Sequence, residues 1–130
     1  MVSYYVRASS YLWPNRAADP NKAHILEKTF PLFSDFWSGS REQNWYLDIL
    51  ATHPDFQGQG IGKELVQWGV EEADKENVYA SVISSDGNEG FYRKTGFREV
   101  GRANVGLLRE NGIKGGAIMF REVKVVQTSP

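Results

Sequence analysis

The chain has 130 residues, of which 41% are apolar and 13% aromatic, a composition typical of one folded domain and not of a disordered segment. Fifteen Lys and Arg residues against 16 Asp and Glu residues give a net charge of -1, so no global field attracts nucleic acid or an anionic membrane. The absence of cysteine excludes disulfides, and with only two histidines the sequence predicts no metal site. The sequence has no signal-peptide pattern and no long apolar run, which predicts a cytoplasmic protein.

The first 44 residues contain two patterns. An aromatic-rich start, SYYVRAS, predicts a short strand or a turn followed by a loop. From Lys22 to Trp37, apolar residues recur mostly at three- and four-residue spacing, which is typical of a helix. Pro31 interrupts this pattern, so two short helices fit it as well as one.

A strand-helix-strand unit is predicted over residues 45–84. The stretch 45–52 (WYLDILAT) is apolar or strand-forming on both faces except at Asp48, which predicts a central strand with both faces covered. Residues 61–75 place their apolar side chains on one stripe of an amphipathic helix. The β-branched stretch 78–84 (VYASVIS) predicts the second strand.

Three shorter elements are predicted after this unit. A short helix over 89–95 ends at Gly96, in the usual place for a left-handed cap. Two strands are expected over 97–102 and 116–127, with a turn over 109–115 before the second strand. This late pair would be antiparallel, which gives a mixed sheet and an α/β (α+β) fold.

Three glycines stand within five positions of the loop before the long helix, QGQGIG (57–62). A dinucleotide fingerprint would need its third glycine at Lys63, and a Walker loop would need a hydroxyl residue at Glu64, so both templates fail. The remaining alternatives are a helix N-terminus whose free N–H groups bind an anion, or a tight turn without a ligand.

Two motifs in register carry a family resemblance. Residues 57–62 match Q/R-x-x-G-x-G/A, the acetyl-CoA pyrophosphate loop of the GNAT superfamily of N-acetyltransferases. Residues 91–97 (FYRKTGF) contain that superfamily's Tyr-x-x-x-Gly-Phe signature at the expected separation. From residue 45 to 126, and most strongly from 49 to 97, the chain therefore resembles a GNAT enzyme of the small-molecule acetyltransferase type.

The resemblance implies a fold and a domain organisation. The fold would be a mixed, mainly antiparallel twisted sheet with helices on both faces, splayed between the first two predicted strands. Residues 1–130 would form a single GNAT-like domain, with an acetyl-CoA-binding core over 45–126 and a shortened N-terminal part over 1–44.

The resemblance also implies a site for acetyl-CoA, with the pantetheine arm along the backbone after the first strand and the pyrophosphate on the glycine loop. The implied cofactor-binding residues are Leu50, Ala51, Thr52, Gln57, Gly58, Gln59, Gly60, Ile61, Gly62, Lys63, Ser85, Asn88 and Tyr92. Tyr92 matches the family tyrosine that protonates the leaving thiolate. Asp48, a carboxylate on an apolar predicted strand, is a candidate base, an anchor for a cationic amine, or the partner of an arginine.

The function implied is transfer of the acetyl group from acetyl-CoA to a primary amine by direct attack in a ternary complex. The acceptor would be a small-molecule or peptide amine, and neither nucleic acid nor a membrane is an expected partner. The short N-terminal part leaves an alternative, a catalytically weak coenzyme A or acyl-CoA binding protein or an incomplete GNAT domain. It would also leave a sheet edge for a second subunit to cover, so a homodimer is expected.

Overall fold

The computed structural model describes residues 16–123. The predicted strand in SYYVRAS and the last part of the predicted strand over 116–127 lie outside these residues. The described strands are β1 (Asn44–Leu47), β2 (Tyr79–Ser84), β3 (Arg98–Arg102) and β4 (Ala117–Arg121). The described α-helices are α1 (Ile25–Thr29), α2 (Ile61–Glu76), α3 (Glu89–Arg93) and α4 (Leu107–Glu110).

The strands form one mixed sheet in the order β1-β2-β4-β3. β1 and β2 pair in parallel and are connected through α2, which confirms the predicted strand-helix-strand unit. β4 lies between β2 and β3 and is antiparallel to both. The α/β fold class with a mixed, mainly antiparallel sheet is therefore confirmed.

Both faces of the sheet carry a core. Residues of β4 alternate between the two faces, and all five are buried. Met119 packs with residues of α2 and α3 on one face, and Phe120 packs with Phe33 and with Leu108 of α4 on the other. Helices consequently cover both faces, as the sequence predicts.

The segment before β1 is broken into short pieces. α1 is followed by 3-10 turns at Phe30–Leu32 and Ser34–Trp37, and Pro31 stands at the break, as expected for a residue that cannot donate a helical hydrogen bond. The indole Nε1 of Trp37 donates to the hydroxyl of Ser81 at 3.0 Å. This bond fixes the segment to the sheet.

Two sequence predictions are corrected here. The predicted strand over 45–52 ends at Leu47, and among the described residues β1 is an edge strand and not a central one. Apolar residues on both faces suggested burial, but Ile49 is 80% exposed because the chain leaves the sheet before it. The predicted turn over 109–115 begins inside α4, which forms because Leu108 is buried in the second core.

Within residues 16–123, no helix combines the length and apolarity needed to cross a membrane.

Candidate active site

A groove opens where β1 and β2 separate. Their ladder ends at Leu47↔Val82, whereas β2 continues to Ser84 paired with β4. Beyond Leu47 the chain runs without strand pairing to a 3-10 turn at Pro54–Phe56. The groove has a volume of about 800 Å³. We refer to it as the splay groove.

The splay groove collects residues from three separate parts of the sequence. The sequence-predicted site residues that line it are Asp48, Leu50, Thr52, Gln57, Gly58, Gly62, Ser85, Asn88 and Tyr92. Those that do not line it are Ala51, Gln59, Gly60, Ile61 and Lys63. Gly60 and Lys63 instead line a depression beside Trp68 on the outer side of α2.

The glycine loop has a backbone that favours glycine at two positions. Gly58 and Gly60 have φ values of 75° and 83°, in the left-handed region, and Gly60 is the N-cap of α2. The Gln57 amide donates to the Thr52 carbonyl at 3.0 Å and so ties the loop to the chain that follows β1.

The first turn of α2 has unused hydrogen-bond donors. The N–H groups of Ile61, Gly62 and Lys63 have no acceptor among residues 16–123, as expected for a helix N-terminus. Gly60 provides no side-chain cap that could occupy them. Three amides with the positive end of the helix dipole are available to an anion.

Gly62 brings the helix close to the wall of the splay groove. A β-carbon at this position would lie 3.8 Å from the Thr52 hydroxyl and 3.9 Å from both Leu50 Cδ2 and Phe91 Cζ. These are ordinary van der Waals distances, so glycine here leaves space without being required by the backbone. The space belongs to the groove that Gly62 lines.

Tyr92 presents a protonated phenol to the splay groove. Its ring is 8% exposed and packs edge-on against Phe91 and Phe97, at centroid distances of 5.1 and 5.8 Å. The hydroxyl has no hydrogen-bond partner within the described range 16–123. Burial raises the pKa of Tyr92, so at neutral pH the group has a proton to donate.

Asp48 lies at the mouth of the splay groove, one residue after β1. The side chain is exposed, so the premise of a carboxylate on a buried strand is wrong, because the strand ends at Leu47. It forms no ion pair among the described residues, which argues against an arginine partner there. Burial and, secondly, the charge of Asp48 raise the pKa of Tyr46, so the carboxylate lies near that phenol.

Ser85 and Asn88 line the groove between β2 and α3. The Asn88 amide donates to the Ser85 hydroxyl at 2.7 Å, and both side chains are exposed. Sequence analysis did not single out Val82, Ile83 and Phe91, which also line the groove. The first two were read only as strand residues, since no sequence pattern marks the point where two strands stop pairing.

Comparison with known proteins identifies a family and a curated relative. Residues 36–114 match the family model of the acetyltransferase (GNAT) domain, from before β1 to beyond α4. A peptidyl-lysine N-acetyltransferase of Salmonella typhimurium, YjaB, is 36% identical over 66 residues, covering 46% of this chain and 41% of the relative. The chain thus matches about two fifths of the length of that curated relative.

Proposed function

The chain belongs to the GNAT family of acetyltransferases, and we propose that it transfers the acetyl group of acetyl-CoA to a primary amine by direct attack in a ternary complex. The observation that carries this proposal is the convergence of three features on the splay groove. These are the first turn of α2, which contributes Gly62 and its free amide, the unpaired chain after Leu47 and the protonated Tyr92.

The reaction needs no covalent intermediate with the protein. The amine lone pair attacks the thioester carbonyl carbon, a C–N bond forms and the C–S bond breaks. The nitrogen loses a proton and the leaving thiolate gains one. Tyr92 is proposed to supply the proton for sulfur, because its hydroxyl is protonated and has no partner among residues 16–123.

Acetyl-CoA is proposed to bind along the splay groove. The pyrophosphate would accept hydrogen bonds from the loop 57–63, which contains Gln57, Gly58, Gln59, Gly60, Ile61, Gly62 and Lys63. The pantetheine arm would pair with the backbone of Leu50, Ala51 and Thr52, which has no strand partner in the described part of the chain. Ser85 and Asn88 add polar contacts near Tyr92.

Asp48 is proposed to act on the amine, either as the base that removes its proton or as an anchor for the ammonium form. Asp48→Asn separates the two roles. A base predicts a lower kcat and loss of the acid limb of the pH profile, whereas an anchor predicts a pH-independent rise in the KM of the amine. Unchanged kinetics would remove Asp48 from the mechanism.

The first experiment is calorimetric titration with acetyl-CoA, with ATP and NAD in parallel as control ligands. We expect saturable binding of acetyl-CoA alone, followed by thiol release when primary amines are added. Binding without thiol release would support the alternative of a coenzyme A binding protein. No binding would leave the glycine loop as a turn and contradict the proposal.

A homodimer remains an expectation. The outer edge of β1 has no strand partner among residues 16–123, and an unpaired edge is a site where a second chain can pair. Sedimentation measurements at several concentrations test it, since a monomer at all of them would contradict strand pairing between subunits.

A further inference from the structure

A second groove, of about 700 Å³, lies on the sheet face that carries the N-terminal segment. Its lining residues are Leu26, Glu27, Phe30, Phe33, Trp37, Tyr46 and Ile83. All of them except Glu27 are apolar or aromatic. We refer to it as the aromatic groove.

The aromatic walls are fixed by contacts with one another. Phe33 meets Phe30 and Trp37 at ring centroid distances of 5.5 and 6.4 Å, and Trp37 meets Tyr46 at 6.0 Å, all edge-on. Trp37 is also held by its hydrogen bond to Ser81. The walls are therefore formed in advance, which lowers the ordering cost of binding a ligand.

The aromatic groove and the splay groove meet at Ile83, which lines both. Tyr46, on the wall of the aromatic groove, lies near Asp48 at the mouth of the splay groove. A ligand in the aromatic groove can therefore extend past Ile83 toward Asp48 and the reacting end of the splay groove.

The charges between the aromatic groove and Asp48 suit an amine whose cationic nitrogen carries an apolar group. Among the described residues, Glu27 is the single charged one in the lining of the aromatic groove, and Asp48 stands where that groove approaches the other. Glu27 Oε2 lies 3.1 Å from His24 Nδ1, and the other lining residues are apolar or aromatic. Away from Glu27, a second ammonium group or a polar peptide backbone in the aromatic groove would lose its hydration against an apolar wall. An aromatic or branched apolar group would instead replace water with ring contacts.

We propose that the acceptor is a primary amine carrying an aromatic or bulky apolar group, which lies in the aromatic groove while its nitrogen reaches the thioester past Ile83. This inference rests on the proposed acetyl transfer. The transferred group forms the amide bond with the acceptor nitrogen, and coenzyme A leaves as the thiol.

The test compares acceptors by thiol release at saturating acetyl-CoA. The acceptors are 2-phenylethylamine, putrescine and a polar hexapeptide with one lysine. We expect kcat/KM for 2-phenylethylamine to exceed that for the other two by at least tenfold. Equal values, or a preference for the peptide, would overturn the inference while leaving acetyl transfer intact. Absence of thiol release with every amine would overturn both.

A pair of variants locates the effect. Phe30→Ala removes one wall of the aromatic groove. The control Leu32→Ala shortens a similarly exposed side chain that does not line the groove. The wild-type side chains are 56% and 63% exposed, respectively, so both variants should fold. We expect Phe30→Ala to raise the KM for 2-phenylethylamine roughly fivefold to tenfold, with kcat and the Kd of acetyl-CoA unchanged. Identical KM values in the two variants would overturn the inference.

Discussion

Two glycines of α2 allow helix stability to be separated from coenzyme binding. Gly62 faces the splay groove, whereas Gly69, further along the same helix, does not line it. Neither has a positive φ, and an added β-carbon would meet only ordinary contacts at Gly62 and nothing within 4 Å at Gly69. Alanine in place of glycine stabilises a helix interior by about 0.5–1 kcal/mol, and the gain should be smaller in the first turn at Gly62.

We therefore expect both Gly62→Ala and Gly69→Ala to keep or raise the melting temperature, by up to about 5 °C. Only Gly62→Ala should weaken acetyl-CoA binding, because its methyl group occupies space that the ligand needs. Overpacking of this kind costs about 1–3 kcal/mol, which corresponds to a rise in Kd of roughly 5-fold to 150-fold. Calorimetry and thermal unfolding on the same samples measure both effects. Equal affinity in the two variants would show that acetyl-CoA does not pass beside Gly62.

Three further changes test the loop, the tyrosine and the core. Gly60→Asp places a negative charge beside the free amides and should raise the Kd of acetyl-CoA at least tenfold. The control Gly60→Asn introduces a neutral residue that tolerates the same left-handed backbone and should retain most of the affinity. Equal losses of affinity in calorimetry would assign the effect to backbone strain. Tyr92→Phe should lower kcat roughly a hundredfold without changing that Kd, and full activity would leave Tyr92 as packing. Burial raises the pKa of Tyr92, so its neutral form stabilises the fold. This stabilisation is complete below pH about 10 and is lost as the pH rises through the raised pKa. The free energy of unfolding should therefore fall less steeply with alkaline pH in Tyr92→Phe. The Asp74 carboxylate accepts two hydrogen bonds from the buried Arg121 guanidinium, at 2.6 and 2.8 Å. Asp74→Asn removes this carboxylate and should lower the free energy of unfolding, measured in urea, by about 2–4 kcal/mol. A loss under about 1 kcal/mol would mean that solvent screens the ion pair.

The elements that sequence analysis predicted well are those whose pattern is local. The apolar stripe over 61–75 corresponds to α2, and the β-branched stretch over 78–84 corresponds to β2. Gly96 ends the region of α3 with a φ of 93°, as predicted for a left-handed cap. The two GNAT motifs were recognised because their residues have fixed spacing within such elements.

The errors concern positions that depend on partners distant in sequence. β1 was predicted to be central because its residues are apolar on both faces, yet apolar residues also line grooves, as Tyr46 does. Asp48 was predicted to be buried for the same reason, and its exposure follows from the end of the ladder at Leu47. The aromatic groove was not predicted, because its walls come from α1, the 3-10 turns and two strands, which are brought together only by the fold.

The separation of β1 from β2 explains why two grooves on different sides of the sheet can serve one reaction. Paired strands lie about 4.8 Å apart and share hydrogen bonds, so no ligand passes between them. Beyond Leu47↔Val82 that barrier ends, and the alternation of β2 directs Val82 into one core and Ile83 toward the other. Ile83 therefore borders both grooves, and in the proposed reaction an acceptor on one face would reach the thioester on the other by passing this residue.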